Sequence, residues 1–300
     1  MTEKVEVVVK HAAKTVGEGP HWVDKTQSLL YVDIFSNDLH HWNPATNKTS
    51  SLHFDEYVTL VVPTEKDDEY IISQGSKLAK LQWSSKKVEV LHEAGAGVRY
   101  NDGKCDPRGR LLAGTMGLET APAVLPPGMG NLYSLDIQGK VTKLASNITL
   151  SNGLAWTADT KKFYFIDSTP RKVYLFDYNA DNGQATNQRT VIDFADYDDL
   201  GLPDGMAIDT EDKIWIACYS AGKVVRFDPE TKKLLKVVKI DAKQTTSVCF
   251  GGPNLDELYV TSAAMGLTEE ELKAKDPLAG SIFKVTGLGV KGYPAVNYKG

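Results

Sequence analysis

The fold of this chain can be predicted from one stretch, Leu202-Pro203-Asp204-Gly205-Met206-Ala207-Ile208-Asp209, which runs on to Ile214-Trp215-Ile216-Ala217-Cys218-Tyr219. A proline and a glycine on either side of Asp204 predict a loop that turns sharply around the acid. The first apolar run, the polar tract 209–213 and the second apolar run predict two strands joined by a turn. Asp204 is therefore expected at a loop end that leads into a hairpin.

The same pattern of a polar residue, a short apolar run, a polar turn and a β-rich strand occurs six times. We call the polar residues the anchors; in chain order they are Glu18, Thr59, Asn101, Asn152, Asp204 and Thr246. Consecutive anchors stand 41 to 52 positions apart, and such a period with several short strands per copy is typical of propeller blades. The sequence predicts an all-β fold, a six-bladed β-propeller that forms a single domain over residues 1–300. Glu18, Asn101, Asn152 and Asp204 are then expected to converge on its central channel.

Two further segments complete this prediction. Residues 5–10 are expected to form a strand that closes the ring by pairing with residues 281–285 of the last blade, which leaves no exposed sheet edge there. The segment from Gly117 to Gly130 carries three prolines and interrupts a hairpin. It is either a lid over the channel mouth or a longer surface loop.

The composition of the chain argues against nucleic acid and membranes as partners. The net charge is -5 and the basic residues form no cluster, which argues against nucleic acid. No apolar run approaches the ~20 residues of a membrane span, and the amino terminus lacks the apolar core of a signal peptide. Three cysteines without a C-x-x-C spacing are expected to be buried, reduced thiols. We expect a cytoplasmic protein, monomeric or weakly dimeric, with no nucleic-acid or membrane partner.

Several ordered motifs resemble those of the SMP-30/gluconolactonase/regucalcin family over nearly the whole chain. They are Gly17-Glu18-Gly19-Pro20, Asn101-Asp102-Gly103-Lys104, Gly114-Thr115-Met116, Ser151-Asn152-Gly153-Leu154, Pro203-Asp204-Gly205, Phe250-Gly251-Gly252 and the tail 286–292. The insect luciferin-regenerating enzymes belong to the same family.

The resemblance implies specific roles for individual residues. One divalent cation in the channel would be held by Glu18, Asn152 and Asp204. The sugar lactone would contact Arg99, Asn101 and Glu119. One departure concerns the last of these, because similar members often carry two adjacent acids where this chain has Leu118-Glu119.

The chemistry of these residues agrees with the implied metal site. Two carboxylates and an amide carbonyl form an all-oxygen set that suits Ca²⁺, Mg²⁺ or Mn²⁺, whereas Zn²⁺ is less natural without histidine or cysteine ligands. Each anchor taken alone could instead be a turn residue.

Two classes of function follow. In the first, the cation polarises the lactone carbonyl and activates water, with Asp204 as the general base. In the second, the protein is a non-catalytic calcium-binding regulator, although the chain has no Asp-x-Asp-x-Asp-Gly loop. Within the enzyme class, a phosphotriester, a nitrile or a luciferin-regenerating type of substrate is the alternative to a sugar lactone.

Other polar and aromatic residues have simpler interpretations. His21 is expected to be a structural, hydrogen-bonded histidine. Trp22, Trp156 and Trp215 occupy similar repeat positions and are expected to pack within the blades. Ser151 lacks both a G-x-S-x-G elbow and an evident histidine partner, which argues against a serine hydrolase.

Overall fold

The computed structural model describes residues 3–120 and 124–300. Six antiparallel sheets of four strands each are arranged as the blades of a six-bladed β-propeller, as the repeat predicts. In each blade the first strand lies innermost, and neighbouring inner strands contact one another around the ring. Residues 121–123 of the segment from Gly117 to Gly130 lie outside the described part of the chain.

The strands have the following bounds in chain order. Strand β1 (Lys4–Val9) precedes blade 1, which is formed by β2 (Gly17–Val23), β3 (Ser28–Asp33), β4 (Asp38–Asn43) and β5 (Lys48–His53). Blade 2 has β6 (Val61–Pro63), β7 (Glu69–Gln74), β8 (Lys77–Gln82) and β9 (Lys87–Glu93). Blade 3 has β10 (Val98–Cys105), β11 (Leu111–Gly117), β12 (Gly130–Leu135) and β13 (Val141–Ile148). Blade 4 has β14 (Ser151–Trp156), β15 (Lys162–Asp167), β16 (Lys172–Asn179) and β17 (Gln184–Asp193). Blade 5 has β18 (Leu202–Ile208), β19 (Ile214–Tyr219), β20 (Lys223–Asp228) and β21 (Lys233–Lys239). Blade 6 has β22 (Gln244–Gly251), β23 (Glu257–Ala263) and β24 (Ile282–Thr286), with β1 as its fourth strand.

Ring closure follows the predicted route. Strand β1 pairs antiparallel with β24, in a register that places Val5 opposite Val285. The first strand of the chain therefore completes the last blade, and one register shift between Val7 and Val9 interrupts the pairing.

Apolar side chains fill the space between neighbouring blades. One buried cluster joins blades 4 and 5 through Tyr164, Phe194 and Phe227, and another joins blades 5 and 6 through Trp215 and Phe283. Trp22 stacks on Tyr259 with ring centroids 5.0 Å apart, and Trp156 stacks on Phe163 at 4.8 Å. The predicted packing role of the three tryptophans is confirmed.

Helical structure is confined to short connections. Helix α1 (Glu269–Ala274) follows Thr268, whose side chain forms a capping box with Glu271. Within the described residues, no helix is both long enough and apolar enough to cross a membrane. The cysteines Cys105, Cys218 and Cys249 are buried and free, as the sequence predicts.

Five of the six anchors lie within strands, and Thr59 precedes β6, so the predicted loop around Asp204 is wrong. Asp204 belongs to β18, whose pairing with β19 shifts register between Pro203 and Met206. Equivalent shifts occur at the anchors Glu18, Asn101, Asn152 and Thr246, in β2, β10, β14 and β22. A bulge of this kind bends the strand and redirects a side chain, and the repetition places five anchors on equivalent bulges at one end of the channel.

Candidate functional site

The chain segments that enter two of the inner strands are held by buried aspartates. Asp33, at the end of β3, accepts hydrogen bonds from the backbone N–H groups of Lys14 at 2.6 Å and Val16 at 3.1 Å. Asp167, at the end of β15, accepts from Thr149 at 3.0 Å and Leu150 at 2.9 Å. These bonds fix the entrances to β2 and β14, and so fix the positions of the anchors that follow.

Two glycines that follow anchors let neighbouring inner strands approach closely. A Cβ on Gly153 would lie 2.9 Å from the carbonyl oxygen of Asp204, and one on Gly205 would lie 2.7 Å from the Cα of Ser247. Neither distance leaves room for a side chain. Gly205 is therefore required by contact between blades 5 and 6, because its backbone is in the strand conformation and makes no sharp turn.

The six anchors fall into two groups by what their side chains contact. Three of them donate a hydrogen bond to the inner strand of the next blade. The Thr59 hydroxyl donates to the Asn101 carbonyl at 2.7 Å, the Asn101 amide to the Ser151 carbonyl at 2.8 Å, and the Thr246 hydroxyl to the Gly17 carbonyl at 2.5 Å. These three we call the linking anchors. The other three, Glu18, Asn152 and Asp204, are the candidate metal ligands.

Asn152 is oriented by two neighbours. Its Nδ2 donates to the Ser168 hydroxyl at 2.8 Å, and its Oδ1 accepts from Nδ2 of Asn101 at 3.2 Å. The side chain of Asn152 is 3% exposed, so both polar atoms need partners. An amide oxygen has two lone pairs, which leaves one acceptor position on Oδ1 for a cation.

The two carboxylates of the candidate set lie near each other and near a third acid. Burial and the charge of Asp102 raise the pKa of Glu18 to about 8, against smaller lowering effects from the Gly19 N–H, Ser247 and Asp204. Burial, the charge of Glu18 and the charge of Asp102 raise the pKa of Asp204 well above its ordinary value. Asp204 keeps part of its surface open to solvent. The protein atoms packed around it still disfavour its charged form, so burial is the largest cause of the raised pKa. The charge of Asp102 opposes ionisation of both Glu18 and Asp204, so this end of the channel is a region of negative potential.

Arg99 and Asn101, the predicted sugar contacts, are brought together. Arg99 is 6% exposed, and its guanidinium donates to Oδ1 of Asn101 at 2.8 Å. Since the Asn101 amide nitrogen also serves Ser151 and Asn152, the polar atoms of Asn101 are all engaged within the protein. Asn101 therefore aligns Arg99 and Asn152, and its Oδ1 keeps one acceptor position.

Glu119 lies on the same side of the channel as Arg99. Burial lowers the pKa of Arg99 to about 10, and the charge of Glu119 acts in the opposite direction. Burial raises the pKa of Tyr219, and the charges of Asp204 and Glu119 add to that rise. Glu119 is itself exposed. The structure therefore places Glu119 near both Arg99 and Tyr219 at the channel mouth.

Three site residues were not predicted from the sequence. Asp102 is 9% exposed and accepts from the Gly103 N–H at 2.7 Å; burial raises its pKa. The signal for Asp102 was its place beside the anchor Asn101. Asp33 and Asp167 could have been found in the sequence, since each is an acid at the end of an apolar run that forms the second strand of a blade. An acid in such a position needs hydrogen-bond donors nearby.

His21 was predicted to be hydrogen-bonded, but one of its ring nitrogens has no partner in the described part of the chain. His21 is 8% exposed, and its Nε2 is buried with no partner among residues 3–120 and 124–300. Burial and the charge of Lys104 lower the pKa of His21 to about 3. His21 is therefore neutral at physiological pH.

The donor set for a cation consists of two carboxylates and an amide. Across the described residues, no group of three or more histidine, cysteine, aspartate or glutamate side chains is arranged to hold a metal ion. A set of three oxygen ligands therefore requires Asn152 in addition to Glu18 and Asp204. An amide oxygen is an ordinary ligand for Ca²⁺.

Comparison with known proteins supports the resemblance noted from the motifs. Residues 16–264 match the sequence model of the family described as SMP-30/Gluconolactonase/LRE-like region. The chain is 43% identical to regucalcin of Danio rerio over 299 residues, which cover 99% of each chain. A solved luciferin-regenerating enzyme superposes with a TM-score of 0.91 at 37% identity, covering 99% of this chain and 100% of that one. A regucalcin from Agrobacterium tumefaciens, described as a calcium-binding protein, gives 0.88 at 27% identity, with 97% and 96% covered.

Proposed function

Because the chain belongs to the SMP-30/gluconolactonase/LRE-like family, we propose that it is a divalent-metal-dependent hydrolase of sugar lactones. One observation carries this proposal: Glu18, Asn152 and Asp204 come from three different blades, and burial together with nearby acidic charge raises the pKa of both carboxylates at one end of the channel. Carboxylates are brought together in this way where a cation compensates their charge.

The donor set fits a hard divalent cation, with Ca²⁺ as the first candidate and Mg²⁺, Mn²⁺ and Zn²⁺ as alternatives. Glu18 and Asp204 supply charge, and the free acceptor position on Oδ1 of Asn152 supplies the neutral ligand. Three protein ligands leave coordination positions for water and substrate. When bound, such a cation supplies charge stabilisation to an oxygen that becomes negative during ester cleavage.

The remaining chemistry belongs to side chains of this protein. Asp204 is half-buried on the bulge of β18, where its carboxylate can hold the proton lost by the attacking water. Arg99 is buried and fixed by Asn101, so its remaining N–H groups can orient the hydroxyls of a sugar ring. Glu119 accepts from those hydroxyls at the mouth, and Asn101 acts by holding Arg99 and Asn152 in place.

Two other functions are supported by the names of similar proteins. A non-catalytic calcium-binding role would agree with the description of the Agrobacterium regucalcin. A substrate of the luciferin-regenerating type would agree with the TM-score of 0.91. The exposed position of Glu119 beside Leu118, where two adjacent acids are expected, makes the mouth less acidic and bears on the choice of substrate.

The test is hydrolysis of D-glucono-1,5-lactone by the purified chain, followed by proton release at constant pH. We expect activity that disappears on chelation and returns when Ca²⁺, Mg²⁺, Mn²⁺ or Zn²⁺ is added separately. The matched variant is Glu18→Gln, which keeps the shape of the side chain but removes one ligand charge. Calcium binding without hydrolysis of any lactone would favour the regulatory role, and full activity in excess chelator would refute metal dependence. We also propose that the chain works as one cytoplasmic domain, as a monomer or weak dimer, without nucleic acid or membrane.

A further inference from the structure

The end of the channel opposite the anchors contains a pocket of about 280 Å³. It is lined by the inner strands of five blades, through the residues that stand three positions after every anchor except Thr59: His21, Lys104, Ala155, Ala207 and Cys249. The inner strands all run in the same direction along the channel, so this pocket is separated from the candidate metal ligands by roughly 10 Å of strand.

The carboxyl-terminal tail crosses this end of the propeller. The Thr210 N–H of blade 5 donates to the Lys291 carbonyl at 2.8 Å, and the Tyr298 N–H donates to the Pro63 carbonyl of blade 2 at 2.9 Å. Between these attachments, residues 293–296 form one wall of the pocket. Pro294 and Ala295 are exposed, so the pocket opens to solvent beside the tail.

Three lining residues carry N–H donors that are unpaired or only partly used within the described part of the chain. Trp22 and Trp156 are 3% and 6% exposed, and neither indole N–H has a hydrogen-bond partner in the described part of the chain. Lys104 donates one bond from Nζ to the Met206 carbonyl at 2.7 Å and can donate two more. None of the lining residues is acidic. A buried N–H without a partner is destabilising, so an acceptor on a ligand would satisfy it.

We propose that this pocket binds a small aromatic carboxylate. Its ring would lie against Trp22 and Trp156 in the apolar part of the pocket, and its carboxylate would accept from Lys104 and an indole N–H. An engineered cavity of about 150 Å³ admits benzene, so this pocket has room for two fused rings. A sugar acid does not fit, because its hydroxyls would meet mainly apolar side chains. The proposal is independent of the proposed hydrolysis.

The test is calorimetric titration of the full chain with 2-naphthoate and, separately, with the neutral isostere 2-naphthamide. Both titrations are run in excess chelator, so that no divalent cation at the anchors can bind the carboxylate. We expect 2-naphthoate to bind with a Kd of roughly 1 mM or tighter, and the amide to bind at least about fivefold more weakly. Wild-type protein that shows no binding up to about 10 mM 2-naphthoate would overturn the proposal.

Variants locate the binding. Ala207→Leu fills the pocket and should weaken 2-naphthoate binding by about tenfold or more. Trp156→Phe removes one N–H and keeps an aromatic ring, and should weaken it about fivefold. The matched control is Trp42→Phe, because the Trp42 N–H already has a partner, Oδ1 of Asn47 at 3.0 Å, and lies outside the pocket. If Ala207→Leu fails to fold by near-ultraviolet circular dichroism, the two tryptophan variants decide the question. Equal affinity in Trp156→Phe and Trp42→Phe would place the ligand elsewhere.

Discussion

The two ends of the channel are built from the same inner strands but have opposite chemistry. At the anchor end, bulges turn polar side chains inward, and Glu18, Asp102 and Asp204 crowd their charges together. A few residues further along the strands, the pairing is regular and the lining is apolar, with tryptophans and a lysine but no acid. The register shift is the physical difference between the two ends. A propeller strand can thus carry an acidic site and an apolar site at once, separated by a single irregularity.

Replacement of Asp204 should produce the largest effect on hydrolysis. Asp204→Asn keeps an oxygen ligand but removes the base, so we expect lactone kcat/KM to fall by about 10³-fold, while metal binding persists at raised metal concentration. The control in the same strand is Ile208→Val, at the other end of the channel, which should change the rate by less than about twofold. Turnover near the parent level at saturating metal would show that Asp204 serves only as a ligand.

Replacement of Arg99 should separate substrate binding from metal binding. Arg99→Ala removes a buried guanidinium that holds Asn101 and faces the substrate in our account, so we expect kcat/KM to fall by about 10- to 100-fold. Metal content, measured by mass spectrometry after gel filtration, should stay near the parent value, whereas Glu18→Gln should lose most of its metal. An equal loss of metal in the two variants would contradict this division of roles.

The acidic end should make the chelated protein less stable as pH rises. The pKa of Glu18 is raised from 4.5 to about 8 in the folded chain, so between these values the folded state holds more protons than the unfolded state. The free energy of unfolding therefore falls with pH across this window, by a few kcal/mol at most. Added Ca²⁺ should remove most of the decline, because it binds the ionised form.

Thermal melting from pH 5 to 8, with chelator and with Ca²⁺, measures this effect. Glu18→Gln is the control, since it removes one of the titrating groups and should make the curve of the chelated protein less steep. A chelated parent whose melting temperature depends on pH no more than that of Glu18→Gln would contradict the account.

Loss of a linking anchor should have the smallest effect, and only on stability. Thr246→Val removes the hydroxyl that donates to the Gly17 carbonyl at 2.5 Å and leaves that acceptor unsatisfied, at a cost of about 1–2 kcal/mol. Thr142→Val, on the exposed outer strand β13, should change stability by less than about 0.5 kcal/mol. Urea denaturation compares the two, and an equal response would mean that the bond between blades 6 and 1 contributes nothing.

Much of the fold followed from the sequence because the anchors repeat. The spacing of Glu18, Asn152 and Asp204 predicted blades, and the strand pairing of residues 5–10 with residues 281–285 was confirmed. The loop expected around Asp204 was wrong, since Pro203 and Gly205 are equally compatible with a bulged strand. Gly205 is required by a contact with Ser247, and contacts between remote blades leave no local pattern.

The site was harder to predict than the fold for a similar reason. The motifs predicted that Arg99 and Asn101 contact the same ligand. They could not show that the Asn101 amide donates hydrogen bonds to Ser151 and Asn152, because both lie in the next blade. Asp102 was overlooked because an acid next to an asparagine can equally be solvated. The pocket near Trp22 and Trp156 depends on the path of the carboxyl-terminal tail, which the repeat does not determine.

The central claim is that three anchors from blades 1, 4 and 5 hold one cation, and a crystal structure of the chain grown with Ca²⁺ tests it most directly. We predict a single peak in the channel with oxygens of Glu18, Asn152 and Asp204 at roughly 2.3–2.6 Å. An occupied cation elsewhere, with these three side chains turned away from the channel, would contradict the claim.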